Sequence, residues 1–379
     1  MSDRKLVIDA VAHGFNWRMD NRVDTLPAES YLAFIQGIHT FAHMPLESLA
    51  PGYQLTLDEY MHGWQAEDLA QMYFEESDVD IVAYHHVVIG GCFKEGSSPW
   101  HVGLELKQAY PDRVLLYAFV DPLMGPIELE MMEEKAATGM VDGFKFYPAN
   151  GVFDAESGVP KVMLYDDPEL AFPYFEKARS LGVNRIAIHK AAPVGPGSLD
   201  KDRVEDVNTA ALAFPDMTFE VVHSGYAFVE ECVLQLALHP NIYANLETTA
   251  NFAVRRPRKF AEILGQMLQV GAEDRILWGT GAPTSHPQPV LDAFRALEMP
   301  RDLVEGYGYP ELTDEVKDKI LGLNMARLHG IDVESRLDAL DGDDWSRRRR
   351  EAVDEGGVGP WKAHRDRIAR ETEAAPAHA

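Results

Sequence analysis

The chain is predicted to fold as one (β/α)8 barrel, and three observations carry that expectation. Eight short runs rich in Val, Ile, Leu and aromatic residues recur along its 379 residues. Several are apolar throughout, as strands buried on both faces of a parallel sheet are. Helical patterns separate most of them and close on glycine, as in "PELAFPYFEKARSLG" and "RKFAEILGQMLQVG". The competing fold, a doubly wound open sheet, would want a glycine-rich phosphate turn after its first strand, and "DAVAHGFNW" supplies none.

The first run, "KLVIDAV", leads to His13, and alternation along a strand puts Asp9, Val11 and His13 on one face. Residues 14–65 then form a long insertion rich in Trp17, Phe41, His43, Tyr53, Tyr60 and Trp64. In a barrel such a βα connection lies over the catalytic face, which makes it a lid or a partner-contacting arm. The second run, "VDIVAYHH", ends in His85 and His86, of which only one faces inward. "RVLLYAFVD" is the third, and "DGFKFYP" the fourth; the latter sets Lys145 inside an apolar strand, with Tyr147 after it. "NRIAIHK" ends in His189 and Lys190, "TFEVVHSG" in His223 and "NIYANLET" in Glu247. The eighth run, "DRILWGTGAP", carries no carboxylate at its tip. Segments 149–166 and 190–207 read as further loops on the same face.

The barrel is assigned to residues 1–332. Beyond "NMARLHGID" the composition turns charged, and 333–379 form a C-terminal extension. Its Trp345, Trp361 and Ile368 stand among arginines, a mixture that interfaces enrich, so the tail is expected to wrap a neighbouring barrel. The Arg347–Arg350 run is flanked by acids and reads as a solvated or salt-bridged face.

Charge and cysteine usage narrow the function. With 61 acidic and 35 basic residues the formal charge is −26, which argues against nucleic acid and against anionic membranes as partners. Cys92 and Cys232 are far apart and form no metal motif, which suits a reducing cytoplasm. No apolar stretch approaches the roughly 18 residues of a membrane span, and the N-terminus has no apolar signal core. A soluble cytoplasmic protein is expected.

Of the 14 histidines, five fall at strand ends that face the barrel mouth. Neutral imidazole is a ready ligand for zinc and suits iron, so His13, His189 and His223 are expected to hold a divalent metal, with His86 as a fourth candidate. His223, Lys145 and Glu247 are the candidate catalytic residues. A lysine in that place pairs with Glu247, binds a substrate anion or becomes a carbamate ligand.

The stretches "IDAVAH", "YPDRVLLYAFVDP", "GFKFYP", "DDPELAFPYFEKARSLGVNRIAIHKA", "FEVVHSG", "ILWGTGAP" and "LGLNMARLHGID" resemble the amidohydrolase-related proteins. Those include the aminocarboxymuconate-semialdehyde decarboxylase-like branch. The likeness covers residues 5–332 and implies a barrel with a divalent metal (zinc, iron or manganese) at its C-terminal face. It implies metal binding by His189 and a ligand or catalytic role for His223. It also implies that two family positions are vacant. The first-strand His-x-His pair reads Val11-Ala12-His13, and the eighth-strand aspartate turn reads Gly279-Thr280-Gly281-Ala282-Pro283. Without that aspartate, the usual base on metal-bound water, ordinary hydrolysis is not expected.

The resemblance extends to the 2-aminoisobutyrate hydroxylase type, which joins two homologous barrel subunits. It implies a subunit of a metal-dependent oxygenase that hydroxylates a small amino acid or carboxylate beside a homologous partner. Two further readings stand beside it. One is a one-metal zinc decarboxylase or hydrolase using His13, His189 and His223; the other is a pseudoenzyme partner of a catalytic paralogue.

Overall fold

The computed structural model describes residues 4–149, 161–192, 199–354 and 356–374. Eight strands run parallel in the order in which they occur in the chain. They are β1 (Ile8–Ala12), β2 (Ile81–His85), β3 (Val114–Val120), β4 (Gly143–Phe146), β5 (Arg185–His189), β6 (Thr218–Val222), β7 (Ile242–Asn245) and β8 (Ile276–Leu277). Their residues are buried almost throughout, which is why the sequence shows them as apolar runs rather than alternating ones.

β8 holds only two residues of ladder, and the ring is completed by the turn that follows it. Ala10 donates to the Trp278 carbonyl at 2.9 Å, Gly281 to that of Val11 at 3.0 Å, and His13 to that of Ala282 at 2.9 Å. Asp9 pins this turn, its carboxylate accepting from the Thr280 backbone N–H at 2.9 Å and the Thr280 hydroxyl at 2.5 Å. Burial pushes the Asp9 carboxyl up to about 7 against the opposing pull of those Thr280 bonds.

Apolar side chains sort into two layers. Inside the barrel, Ile8, Ile81, Ala83, Leu115 and Leu277 pack together, and Met325, Ala326 and Leu340 close the end remote from the histidines. The larger layer lies between strands and surrounding helices.

The 14–65 insertion is mostly helical. Thr25 caps the helix Leu26–His43 through the Ala28 N–H, and a Thr56–Glu59 capping box starts the short helix Leu57–Met61. Parts of the two expected mouth loops, residues 150–160 and 193–198, lie outside the described residues.

The tail forms helices Val333–Asp341, Asp344–Asp354 and Lys362–Ala374, and these fold back on their own barrel. Trp345 packs against Phe74 and Tyr110, with Arg348 over its ring at 4.2 Å. Trp361 sits among Trp64, His43 and His286 and donates its indole N–H to the Tyr53 carbonyl at 3.0 Å. His364 stacks on Trp64 at 3.7 Å, and Arg367 pairs with Asp68 at 2.7 Å. The two tryptophans on which a neighbour-wrapping tail was expected are therefore covered within the chain itself. The arginine run is salt-bridged: Arg347 pairs with Asp344 and Arg348 with Glu75.

Candidate active site

His13, His189, His223 and Glu247 leave the ends of β1, β5, β6 and β7 and line one cavity of about 350 Å³. The ends of parallel barrel strands present side chains to a common mouth, so four residues scattered over more than 230 positions meet there. The insertion supplies the roof, with Trp17, Tyr31, Phe41 and Tyr60 among its lining.

Three non-glycine residues at this mouth hold left-handed backbone: Ala191 with φ +58, His223 with +69 and Thr248 with +61. Each costs about 1–2 kcal/mol, and such strain gathers where geometry serves function.

The polar contacts form a chain whose protons can be assigned. His189 Nε2 lies 2.8 Å from the Ala192 carbonyl, which only accepts, so that nitrogen carries the hydrogen. Burial drives His189 well below the ordinary histidine range, so the ring is neutral and its Nδ1 is bare. His223 Nε2, at 2.9 Å, must then donate to it. That leaves His223 Nδ1 against the Glu247 carboxylate, with one proton between them. Burial alone would raise Glu247, but the His223 imidazole, with His13 behind it, outweighs burial and takes it down to about 2. The Glu247 carboxyl is therefore ionised where it faces His223 Nδ1. The Thr248 hydroxyl donates to the other Glu247 oxygen at 2.8 Å.

His13 stacks on Phe15 and places Nδ1 3.0 Å from the His85 carbonyl, and burial lowers it to about 4. His86, expected at the mouth, is not among the residues that line the cavity. Ile81, Ala83 and His85 share the inner face of β2, so His86 points outward, accepts from the Phe119 N–H at 3.1 Å and lies between Trp100 and Phe119. It is His85 that enters the barrel, stacked on Tyr117 at 4.4 Å with neither ring nitrogen hydrogen-bonded among the described residues.

Lys145 is buried within the barrel and is not among the residues lining the cavity. It has no hydrogen bond or ion pair among the described residues; its ammonium lies 5.1 Å from the centre of the Tyr147 ring. Burial lowers it to about 7, with Glu247 and Glu220 opposing.

The histidines expected as a metal set converge but do not form a ligand set. Among the described residues no three His, Cys, Asp or Glu side chains are disposed to hold a metal ion. The donor chemistry explains why. His189 spends both ring nitrogens, on Ala192 and on His223, and His223 spends both of its own on His189 and Glu247. His13 has one ring nitrogen, Nε2, with no hydrogen bond among the described residues. A divalent ion would have to open this chain of contacts.

One charged residue of the cavity lining escaped the sequence reading. Arg255 ends the short helix Phe252–Arg255 after β7 and reaches the cavity. It donates to the Ser285 hydroxyl at 2.7 Å, and its guanidinium lies over the Phe41 ring at 5.3 Å. Its Nε has no partner, and no carboxylate pairs with it among the described residues. Burial lowers it to about 10. The available signal was the "AVRRPRK" stretch, a cluster of cations just past a strand end in an acidic chain.

Among the described residues no helix is long and apolar enough to cross a membrane. No curated protein matches the chain. Several solved structures share the fold. An uncharacterised TIM-barrel protein from Bordetella bronchiseptica superimposes with a TM-score of 0.56 at 16% identity, over 86% of this chain and 98% of that one. 5-Carboxyvanillate decarboxylase from Sphingomonas paucimobilis gives 0.51 at 16% identity, over 87% and 100%. A 5-carboxyvanillate decarboxylase from Novosphingobium aromaticivorans, with manganese and 4-hydroxy-3-methoxy-5-nitrobenzoic acid bound, gives 0.53 at 14% identity, over 86% and 96%. At these identities the likeness is one of fold. The family model described as Amidohydrolase matches residues 50–331, most of the barrel. The chain is a member of the amidohydrolase family.

Proposed function

We propose that the chain is a non-oxidative decarboxylase acting on a small aromatic carboxylate that keeps a second anionic or phenolic group. The observation that carries this is an apolar cavity in which Arg255, a cation with no carboxylate partner among the described residues, shares the lining with the His223–Glu247 pair. A half-buried guanidinium that meets no carboxylate among the described residues is well placed to receive an anion, and aromatic walls favour a flat ligand.

The chemistry needs little else. The bond between the ring carbon and its carboxylate breaks, carbon dioxide leaves, and the electron pair remains on carbon. That carbon takes one proton, so RCOO⁻ and H⁺ become RH and CO₂. The proton held between His223 Nδ1 and Glu247 is the one at the cavity wall, and solvent restores it after turnover. Arg255 does best on the group that stays, because holding the departing carboxylate would stabilise the ground state more than the transition state. The solved relatives include decarboxylases of phenolic acids, which supports this substrate class. Nothing observed favours the oxygen-activating subunit expected from the sequence.

A panel of hydroxybenzoates and other small apolar acids, with carbon dioxide release as readout, tests the proposal. Wild-type protein should release it from at least one phenolic acid, and His223→Asn should lose on the order of 10²–10⁴-fold, the usual worth of a general acid. Release unaffected by His223→Asn, or none from any phenolic acid, would overturn it.

A further inference from the structure

Gly281 lies in the turn after β8, with φ +68. A Cβ placed on it would stand 1.8 Å from Glu247 Oε1 and 2.7 Å from Glu247 Cδ. No two such atoms coexist at that separation, so a side chain at 281 and the Glu247 carboxylate claim the same space. Neither backbone is free to yield. Asp9 and the carbonyl of Val11 hold the β8 turn, and Asn245 Oδ1 accepts from the Glu247 N–H at 3.2 Å. Thr248 fixes the carboxylate oxygen that would meet the added carbon.

We infer that Gly281 is a positioning residue: its missing side chain gives the Glu247 carboxylate the one place from which it contacts His223. The mouth has therefore not lost its acid. Where the tip of β8 carries none, the acid comes from the end of β7 and fills the volume in which a β8 side chain would begin. A mere remnant of a degraded site would leave that volume free. The inference rests on the decarboxylase proposal only for the use made of the pair; the placement is geometric.

The test is a double-mutant cycle on the full chain with Gly281→Asn and Glu247→Ala. Asparagine tolerates left-handed backbone, so its effect reports crowding more than φ. Two readouts are taken: the melting temperature and the downfield imidazole proton of the His223–Glu247 pair in the proton NMR spectrum. In wild type Gly281→Asn should lower the melting temperature by several degrees and abolish the downfield resonance. In the Glu247→Ala background, where the space is vacant, it should lower the melting temperature far less. Equal shifts in both backgrounds, or a folded Gly281→Asn protein that keeps the resonance, would overturn the inference. Should Gly281→Asn not fold, Gly281→Asn combined with Glu247→Ala must fold, and its failure would count equally against it. Carbon dioxide release is a separate reading: the cycle behaving as expected without turnover would sink the decarboxylase proposal alone.

Discussion

Lys145→Met changes how stability depends on pH, and the structure sets the size of the change. Burial, with no direct partner among the described residues, takes the folded lysine down to about 7, against 10.5 for the free side chain. Below pH 7 both folded and unfolded chains carry the proton, and the fold bears the whole cost of an enclosed charge. Between about 7 and 10.5 the unfolded chain holds a proton that the folded chain has released. Stability then rises with pH by up to about 1.4 kcal/mol per unit. Above 10.5 the contribution is flat. The gap of roughly 3.5 units corresponds to about 5 kcal/mol in full. Methionine has a similar shape and no charge, so the variant lacks this slope while sharing every other titration. Urea denaturation of both proteins at pH 7.5 and 9.5 should show the variant more stable at 7.5. Its advantage should shrink by about 2–3 kcal/mol at 9.5. Parallel curves would refute the reasoning and mean that the lysine keeps its proton in the fold, with Glu247 or Glu220 as its partner.

Three other outcomes are expected. Trp361→Ala removes a fully buried indole and its bond to Tyr53, and should cost about 3–5 kcal/mol in denaturation; a loss under about 1 kcal/mol would show that the tail does not brace the roof. Arg255→Ala should raise KM for the first phenolic acid found to react by roughly 10- to 150-fold, the worth of a charged hydrogen bond, and an unchanged KM would remove Arg255 from anion binding. Wild-type protein dialysed after incubation with zinc or manganese should retain well under one ion per chain by elemental analysis. One tightly held ion per chain would mean that His189 and His223 exchange their mutual bond for metal.

The barrel was legible because parallel strands buried on both faces appear as nearly continuous apolar runs, β3 most plainly. That same property hid which face each residue takes. In "VDIVAYHH" the inner Ile81, Ala83 and the outer Val82, Tyr84 look alike, so nothing marked His85 rather than His86 as the one inside. The convergence of His13, His189, His223 and Glu247 followed from their places at strand ends. Their mutual bonds did not, because which ring nitrogen faces which neighbour depends on positions fractions of an ångström apart. Gly281 read as a vacancy for the same reason: its meaning lies in Glu247, 34 residues away in the chain and in contact in space. The insertion read as a loop although Thr25 and Thr56 are legible helix starts; its aromatics line a cavity and so lack the regular stripe of a core-facing helix. The tail's charged composition with scattered aromatics pointed to a neighbouring barrel rather than to its own. Its few large rings each found a slot, Trp345 beside Phe74 and Trp361 beside Trp64, while its arginines met acids already on the barrel.

The helix Lys362–Ala374 rests on the segment Leu57–Phe74, through Arg365 to Glu59 and Arg367 to Asp68. During synthesis, which proceeds from the N-terminus, residues 57–74 leave the ribosome some three hundred codons before the helix that covers them. For that whole interval the aromatic surface around Trp64 is bare to water and to other nascent chains. The barrel strands can pair as they emerge, each beside its predecessor, but the roof over the cavity must wait until residue 374 has been made. A chain halted early would thus carry a complete ring of strands and an unfinished pocket, with its stickiest surface uncovered.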